Sequence, residues 1–176
     1  MTGIETHDGE RIARSLSTPD DFGAIFERHF DVIHRYVARR LGTALADDVA
    51  ATVFAEAFAA RATFLVDVED ARPWLFGIAT NLVRRHRRRE RTAWRAYARH
   101  GADPLGIDAH PRLDEVAVAR ALGRVTKGDR DALLLMAWAD LTYEDIASAL
   151  GIPVGTVRSR INRARTQLRA ELENLR

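Results

Sequence analysis

The stretch LTYEDIASALGIPVGTVRSRINRAR, residues 141–165, has the features of two helices joined by a tight turn. Thr142 followed three residues later by Asp145 is typical of a capping box at a helix start. Gly151 can take the left-handed conformation that ends a helix, and Pro153 permits a new helix to begin. The second helix then carries one apolar stripe, made of Val157, Ile161, Ala164 and Leu168. This stretch predicts a helix-turn-helix.

The remaining surface of the second helix is polar and basic. Arginine can bind guanine edges or phosphates, and asparagine can read adenine, when such a helix lies in a major groove. The exposed side chains are predicted to be Arg158, Ser159, Asn162, Arg163 and Arg165. The pattern favours binding to duplex DNA, and a helical hairpin with a solvated arginine face is the alternative.

Charge alternates in blocks along the 176-residue chain, although its net charge is only +2. The net charge is −6 over residues 1–71, +8 over residues 72–100, −4 over residues 101–150 and +4 over residues 151–176. Nearly all of the positive charge in the two basic blocks comes from arginine. This order indicates two polyanion-binding surfaces, each on a separate part of the chain. The alternative is that the basic residues only form solvated helix faces.

Composition excludes several classes of function. The chain has no cysteine, which excludes disulfides and thiolate metal sites. Its six histidines lack metal-ligand spacing and are interpreted as surface or interface residues, so no metal and no cofactor is expected. No nucleophile elbow or phosphate-binding loop indicates an enzyme. Since the chain shows neither a signal peptide nor a long apolar run, we expect a cytoplasmic protein without membrane insertion.

The periodicity predicts an all-α chain with two small helical domains. Residues 1–18 show no sustained periodicity and are predicted to be a mobile tail. Helical patterns fill residues 19–99, and the glycine- and proline-containing residues 100–112 are predicted to be a linker. Further helical patterns, including the helix-turn-helix, fill residues 113–176.

The first basic block follows an apolar helix start in ARPWLFGIATNLVRRHRRRERTAWRAYAR, residues 71–99. Trp74 and Leu75 stand near the beginning of this helix, and the run of arginines begins about three turns later, at Arg84. Arginines combined with an aromatic ring suit phosphate contacts and base stacking, including contacts with single strands. Taken alone, this segment also fits a solvated helix or an RNA-binding arm.

Together, RPWLFGIATNLVRRHRRR, the linker and the helix-turn-helix resemble a bacterial RNA polymerase sigma factor of the extracytoplasmic-function class. The resemblance covers about residues 20–174 and also includes FGAIFERHFDVIHRYVARRLG and ADDVAATVFAEAFAA. It implies a sigma region 2-like domain that reads the −10 element and a region 4-like domain that reads the −35 element. It further implies binding to core RNA polymerase at the beta-prime clamp and the beta flap, to promoter DNA and to an anti-sigma factor.

The resemblance also implies roles for individual positions. Residues matching the −10-element surface are Phe64, Arg72, Trp74, Asn81, Arg84, Arg85 and Arg88. Residues matching the −35-element surface are Thr156, Arg158, Ser159, Asn162, Arg163 and Arg165. Residues matching the polymerase-binding surface are Asp48, Val49, Thr52, Phe54 and Glu56.

The sequence departs from the family at the polymerase-binding helix. Many relatives have a glutamine and an acidic residue where Ala51 and Thr52 stand, so polar contacts expected at this interface are missing. The rival hypothesis is a conventional helix-turn-helix regulator that acts without docking on polymerase. That class needs a ligand pocket or a dimer interface, and the basic residues 72–100 do not favour a ligand-binding domain.

Overall fold

A computed structural model describes residues 7–98, 118 and 121–174. All regular elements within these ranges are helical, which confirms the predicted all-α class. The chain divides into two compact units, residues 1–87 and 88–176. The division falls inside a continuous helix, ahead of the predicted boundary at residue 99. The predicted linker, residues 100–112, lies outside the described residues.

The first unit contains a short helix, two longer helices and the start of a fourth. The helices are α1 (Asp8–Arg14), α2 (Gly23–Leu41), α3 (Ala46–Ala60) and α4 (Arg72–Ala98). Short 3-10 turns cover Pro19–Phe22, Thr43–Leu45 and Arg61–Thr63. A loop over residues 64–71 connects the last of these turns to α4.

The prediction of a mobile tail through residue 18 is wrong for its described part, because α1 is folded onto the first unit. Ile12 is buried, and the side chain of Asp8 is also buried. Ser15 caps the end of α1 by donating a hydrogen bond to the Ile12 carbonyl at 2.6 Å. Seven residues are too few to show helical periodicity, and their stability comes from contacts with distant parts of the chain. Residues 1–6 lie outside the described residues.

The core of the first unit forms between α2, α3 and α4. The fully buried side chains include Ile25, Ile33, Val37, Val53, Leu75, Phe76 and Val83. Burying an aliphatic or aromatic side chain of this size contributes about 1.5–3 kcal/mol. The Tyr36 hydroxyl lies 2.9 Å from Thr80 Oγ1, and the Tyr36 ring packs edge-on against Phe76. These contacts fix α4 against α2 and thereby orient the residues that α4 exposes.

The second unit is built around the helix-turn-helix. Its described part has helical residues 121–124, followed by α5 (Lys127–Ala139), α6 (Tyr143–Leu150) and α7 (Val154–Glu173). Its core contains Leu134, Leu135, Ile146, Val157, Ile161 and Ala164. The apolar stripe of α7 therefore packs inward, as predicted, although Leu168 is only half-buried.

The predicted turn chemistry of the helix-turn-helix is confirmed. The Thr142 hydroxyl accepts a hydrogen bond from the Asp145 N–H at 3.1 Å, and Asp145 accepts one from the Thr142 N–H at 3.1 Å. Gly151 ends α6 with φ 63° and ψ 40°, which is the left-handed conformation. The Ile152 N–H then donates to the Ala147 carbonyl at 3.0 Å, which closes the end of α6.

Candidate nucleic-acid and polymerase interfaces

The free surface of α7, which we call the α7 face, consists of Arg158, Ser159, Asn162, Arg163 and Arg165. All five residues are exposed, and Thr156 near the helix start is half-buried. With 3.6 residues per turn, these positions lie on the sides of α7 that the buried stripe leaves open. Arg160 points elsewhere, because its guanidinium lies against Gly128 of α5. The structure therefore brings the predicted −35 residues to one accessible surface.

One member of the α7 face, Arg163, forms an ion pair within the protein. Arg163 donates two hydrogen bonds to Asp129 of α5, from Nε at 3.1 Å and from Nη2 at 2.9 Å. Such a two-point contact orients both side chains. The Arg163 side chain keeps 59% of its exposure, whereas Asp129 keeps only 8%. Sequence reasoning identified Arg163 but missed Asp129, since 34 residues separate them.

The Arg163 contact shifts the titration of both groups. Hydrogen bonding from Arg163 lowers the pKa of Asp129 below its ordinary value, although burial opposes the shift. A hydrogen bond from Thr126 and the charges of Arg163 and Arg160 lower the same pKa further. The hydrogen bonds to Asp129 in turn raise the pKa of Arg163. Asp129 is therefore a carboxylate at neutral pH.

A second polar surface runs along α4, and we call it the α4 stripe. It consists of Trp74, Asn81, Arg84, Arg85 and Arg88. Asn81, Arg84, Arg85 and Arg88 have the i, i+3, i+4, i+7 spacing of one helix face. Asn81, Arg85 and Arg88 are exposed, whereas Trp74 and Arg84 are half-buried. The predicted −10 residues Trp74, Asn81, Arg84, Arg85 and Arg88 of α4 therefore share one surface, whereas Arg72, at the first position of α4, lies off it.

Aromatic rings lie at the start of the α4 stripe. The centroids of the Phe64 and Trp74 rings are 4.8 Å apart, and the ring planes are tilted by 48°. Trp74 thus packs on a loop residue and is not enclosed in the core, where Leu75 and Phe76 lie. Two residues before Trp74, Arg72 donates from Nε to Asp70 Oδ2 at 2.7 Å. The next two loop residues, Leu65 and Val66, are exposed by 66% and 57%.

The predicted polymerase-binding residues of α3 fall into two groups. Asp48 and Thr52 are exposed and Glu56 is half-buried, and their four-residue spacing places them on one face. Val49 and Phe54 are buried instead, with Phe54 only 4% exposed. The Phe54 ring packs against Phe26 of α2 at a centroid distance of 5.0 Å. Val49 and Phe54 therefore support α3 from within, and their role in polymerase binding stays a prediction.

Side-chain contacts connect α3 to its neighbouring helices in ways that local sequence patterns do not reveal. Arg85 of the α4 stripe donates from Nη2 to Glu56 of α3 at 2.5 Å. His34 of α2 lies 2.9 Å from Asp47, at the start of α3. Thr52 uses its hydroxyl within α3, where it donates to the Asp48 carbonyl at 2.8 Å. Glu56 is thus the member of the α3 group that also contacts the α4 stripe.

The sequence interpretation of all histidines as surface or interface residues is wrong for His29, which is 4% exposed. His29 meets Asp8 and Asp70, and one ligand-type atom of each lies within 4.8 Å of the others. Asp8 already accepts hydrogen bonds from His29, Arg28 and the Ala71 N–H, and Asp70 pairs with Arg72. Because two guanidinium groups stand beside these carboxylates, the cluster fits a hydrogen-bonded junction better than a cation site.

Comparisons with known proteins match both units. Residues 25–93 match the family Sigma-70 region 2, and residues 115–168 match the family Sigma-70, region 4. A relative from Mycobacterium tuberculosis (strain CDC 1551 / Oshkosh), the ECF RNA polymerase sigma factor SigC, is 34% identical. The similarity covers 98% of this chain and 97% of SigC. A conventional helix-turn-helix regulator would leave the region 2 match unexplained.

Solved structures show the same fold. CnrH, solved in complex with the cytosolic domain of CnrY, has a TM-score of 0.66 and 27% identity, with 95% of this chain and 99% of that chain covered. RpoE from Bartonella quintana, solved with the anti-sigma factor NepR, also has a TM-score of 0.66 at 23% identity. That similarity covers 88% of this chain and 98% of that chain.

The chain's class follows from these similarities together with the two exposed basic surfaces. Among the described residues, no helix is both long and apolar enough to cross a bilayer. Sigma factors direct transcription initiation and are not enzymes on their own. The chain belongs to the extracytoplasmic-function class of RNA polymerase sigma factors and is an alternative sigma factor that directs promoter-specific transcription initiation.

Proposed function

We propose that the two units divide promoter recognition between them. The α4 stripe with its neighbouring loop reads the −10 element as it opens, and the α7 face reads the −35 element as intact duplex. The observation that carries this proposal is the presence of two exposed arginine- and asparagine-bearing helix faces, one on each module. Each face has the chemistry that its form of DNA requires.

Duplex recognition suits the α7 face. A helix of this diameter fits the major groove, where arginine can donate two hydrogen bonds to guanine and asparagine can pair with adenine. Arg158 and Asn162 are exposed one turn apart on α7 and are the proposed base-reading pair. Thr156 lies in the first turn of α7, where a helix N-terminus favours phosphate.

Single-strand recognition suits the α4 stripe. Unpaired bases stack on aromatic rings, and the adjacent backbone phosphates are attracted by arginines. Phe64 and Trp74 offer two neighbouring rings, and Arg84, Arg85 and Arg88 continue along the same helix face. A strand that leaves the duplex would meet the rings first and the arginines along its backbone.

Polymerase docking is assigned to the exposed face of α3, with the region 4-like unit contacting the beta flap. Asp48 and Glu56 supply negative charge for the beta-prime clamp, while Ala51 and Thr52 leave fewer polar contacts there than in many relatives. Family membership supports a cytoplasmic location and control by an anti-sigma factor. The complex of RpoE with NepR is an example of such a partner in a structural relative.

The proposal is tested by assembling the purified chain with bacterial core polymerase and measuring run-off transcription. The templates are a matched set in which the −10 or the −35 element is scrambled. We expect co-elution in a one-to-one complex on gel filtration and loss of transcripts from both scrambled templates. Failure of the folded chain to co-elute, together with tight binding of the free chain to one duplex site, would contradict it.

A further inference from the structure

We propose that the first turn of α1 is a strap that fixes the loop over residues 64–71, and that Asp8 and Gly9 are positioning residues for −10-element recognition. The inference rests on the proposed role of this loop and of the Phe64–Trp74 ring pair in reading opened DNA. It assigns a function to a segment that lies before the matched region 2, which begins at residue 25.

The strap begins with backbone hydrogen bonds. The first N–H groups of a helix have no partner within the helix, so they are available to other acceptors. In α1 the Asp8 N–H donates to the Glu69 carbonyl at 3.1 Å, and the Gly9 N–H donates to the Val68 carbonyl at 3.0 Å. The start of α1 thus holds two consecutive carbonyls of the loop.

The Asp8 side chain ties the same loop to two further elements. Its Oδ2 accepts a hydrogen bond from the Ala71 N–H at 2.8 Å, immediately before α4 begins. The same oxygen lies 2.7 Å from His29 Nε2, and Oδ1 accepts from Arg28 Nη1 at 3.2 Å. Asp8 is buried, so its charge is stable only with such partners. One carboxylate therefore joins α1, α2 and the end of the loop, directly before α4 begins.

Gly9 makes this close approach possible. A Cβ built on Gly9 would overlap the Val66 carbonyl and lie 2.7 Å from the Val68 oxygen. The neighbours in question are backbone atoms, which cannot swing away as the end of a flexible side chain can. Any larger residue at this position must therefore push the loop away from α1.

The strap holds the loop at the carbonyls of Val68 and Glu69 and leaves the side chains of Leu65 and Val66 exposed. Phe64 stays against Trp74 at the start of the α4 stripe. A loop that is already ordered loses less conformational entropy when it captures a base. The strap therefore prepares the recognition surface before DNA arrives, without touching DNA itself.

The test compares Gly9→Ala with Gly23→Ala in full-length protein assembled with core polymerase. Gly23 is a matched control, since a Cβ there meets nothing within 4 Å. The readout is the rate of promoter opening, followed by 2-aminopurine fluorescence in the −10 element. We expect Gly9→Ala to slow opening by roughly tenfold or more and Gly23→Ala to remain within about twofold of wild type, with core binding unchanged in both.

A second readout separates positioning from a general structural defect. Abasic substitutions are scanned through the −10 element to find the base on which opening depends. On a template lacking that base, wild type and Gly9→Ala are expected to open at similar rates, because the loop has nothing to capture. A Gly9→Ala defect of equal size on both templates would overturn the proposal.

The remaining outcomes are also decisive. If Gly9→Ala does not co-elute with core polymerase, Asp8→Asn is measured instead, since it keeps the size of the side chain and removes its charge. Normal opening by a well-folded variant of either kind would overturn the strap. If wild-type holoenzyme opens promoters independently of the −10 sequence, the proposed function of the loop fails, and that result is distinct from failure of the strap alone.

Discussion

The α7 face and the α4 stripe, the two surfaces proposed to bind DNA, differ in how the chain builds them. The α7 face lies on one helix whose start is specified by the turn within residues 141–165, and whose apolar stripe packs against α5 and α6. The surface around the α4 stripe requires a loop held by α1 and a helix held by α2. A short local motif thus sets the start of the helix proposed to read duplex DNA, whereas the surface proposed to read single-stranded DNA depends on contacts between more distant segments.

Because the two surfaces are built differently, substitutions beneath them should change stability by different amounts. The largest loss of stability is expected for a substitution of Ile161. This side chain is 1% exposed beneath the α7 face. Ile161→Ala removes buried methyl groups and leaves a cavity, which should lower the free energy of unfolding of the second unit by about 2–5 kcal/mol. Urea unfolding followed by circular dichroism measures the loss.

Arg169→Ala is the matched control for that experiment, because Arg169 is exposed on the same helix. It should change the free energy of unfolding by less than about 0.5 kcal/mol. An equal loss in both variants would show that α7 does not depend on its apolar stripe. Ile161→Ala should also abolish dependence on the −35 element while core binding persists.

The next largest effect is expected at Asp8, where distant segments meet. Burial alone would raise the pKa of Asp8, but hydrogen bonds from His29 and Ala71 and the charges of His29 and Arg28 hold it below its ordinary value. Asp8→Asn should lower the free energy of unfolding by about 1–3 kcal/mol at neutral pH, because the buried partners lose their carboxylate.

The pH dependence of this effect has a definite sign. A depressed carboxylate pKa contributes stability above the ordinary value near 4, and that contribution is lost as pH falls through the folded-state pKa. The stability difference between wild type and Asp8→Asn should therefore shrink below about pH 4. Denaturant unfolding at several pH values checks this, and a difference that grows with acid would contradict the assignment.

A smaller effect, on promoter binding, is expected for the contact between Arg163 and Asp129. It distinguishes a contact that orients α7 from a contact that competes with DNA for Arg163. If the contact between Arg163 and Asp129 orients α7, Arg163→Ala and Asp129→Asn should both weaken −35-dependent promoter binding. For Arg163→Ala, we expect the affinity to fall by roughly tenfold. We expect this shared direction, since Arg163 donates two hydrogen bonds to Asp129. Filter binding of holoenzyme to matched promoters measures it. Stronger binding by Asp129→Asn would instead mean that Asp129 competes with DNA for Arg163.

The smallest effect on stability is expected for the exposed pair of Glu56 and Arg85. Their side chains retain 43% and 53% exposure, so solvent weakens the attraction between them. Glu56→Gln should change the free energy of unfolding by less than about 1 kcal/mol in thermal or urea unfolding. A larger loss would show that this pair, and not the strap alone, holds the α4 stripe in place.

Sequence reasoning succeeded where neighbours in the chain carry the information. The capping box at Thr142 and the left-handed Gly151 follow from residue types within a few positions of each other. Asp8 lies 21 residues from His29 and 63 residues from Ala71, so no local pattern connects them. The burial of Phe54 likewise depends on Phe26 and Phe30 of another helix.

The central claim is that the two surfaces read different promoter elements, and one matched pair of variants tests it most directly. Asn81→Ala and Asn162→Ala make the same change at exposed positions of α4 and α7. Run-off transcription by each holoenzyme is measured on templates with base changes in either element. We expect Asn81→Ala to lose discrimination only at the −10 element and Asn162→Ala only at the −35 element, by roughly tenfold each. Loss of discrimination at the opposite element by either variant would contradict the account.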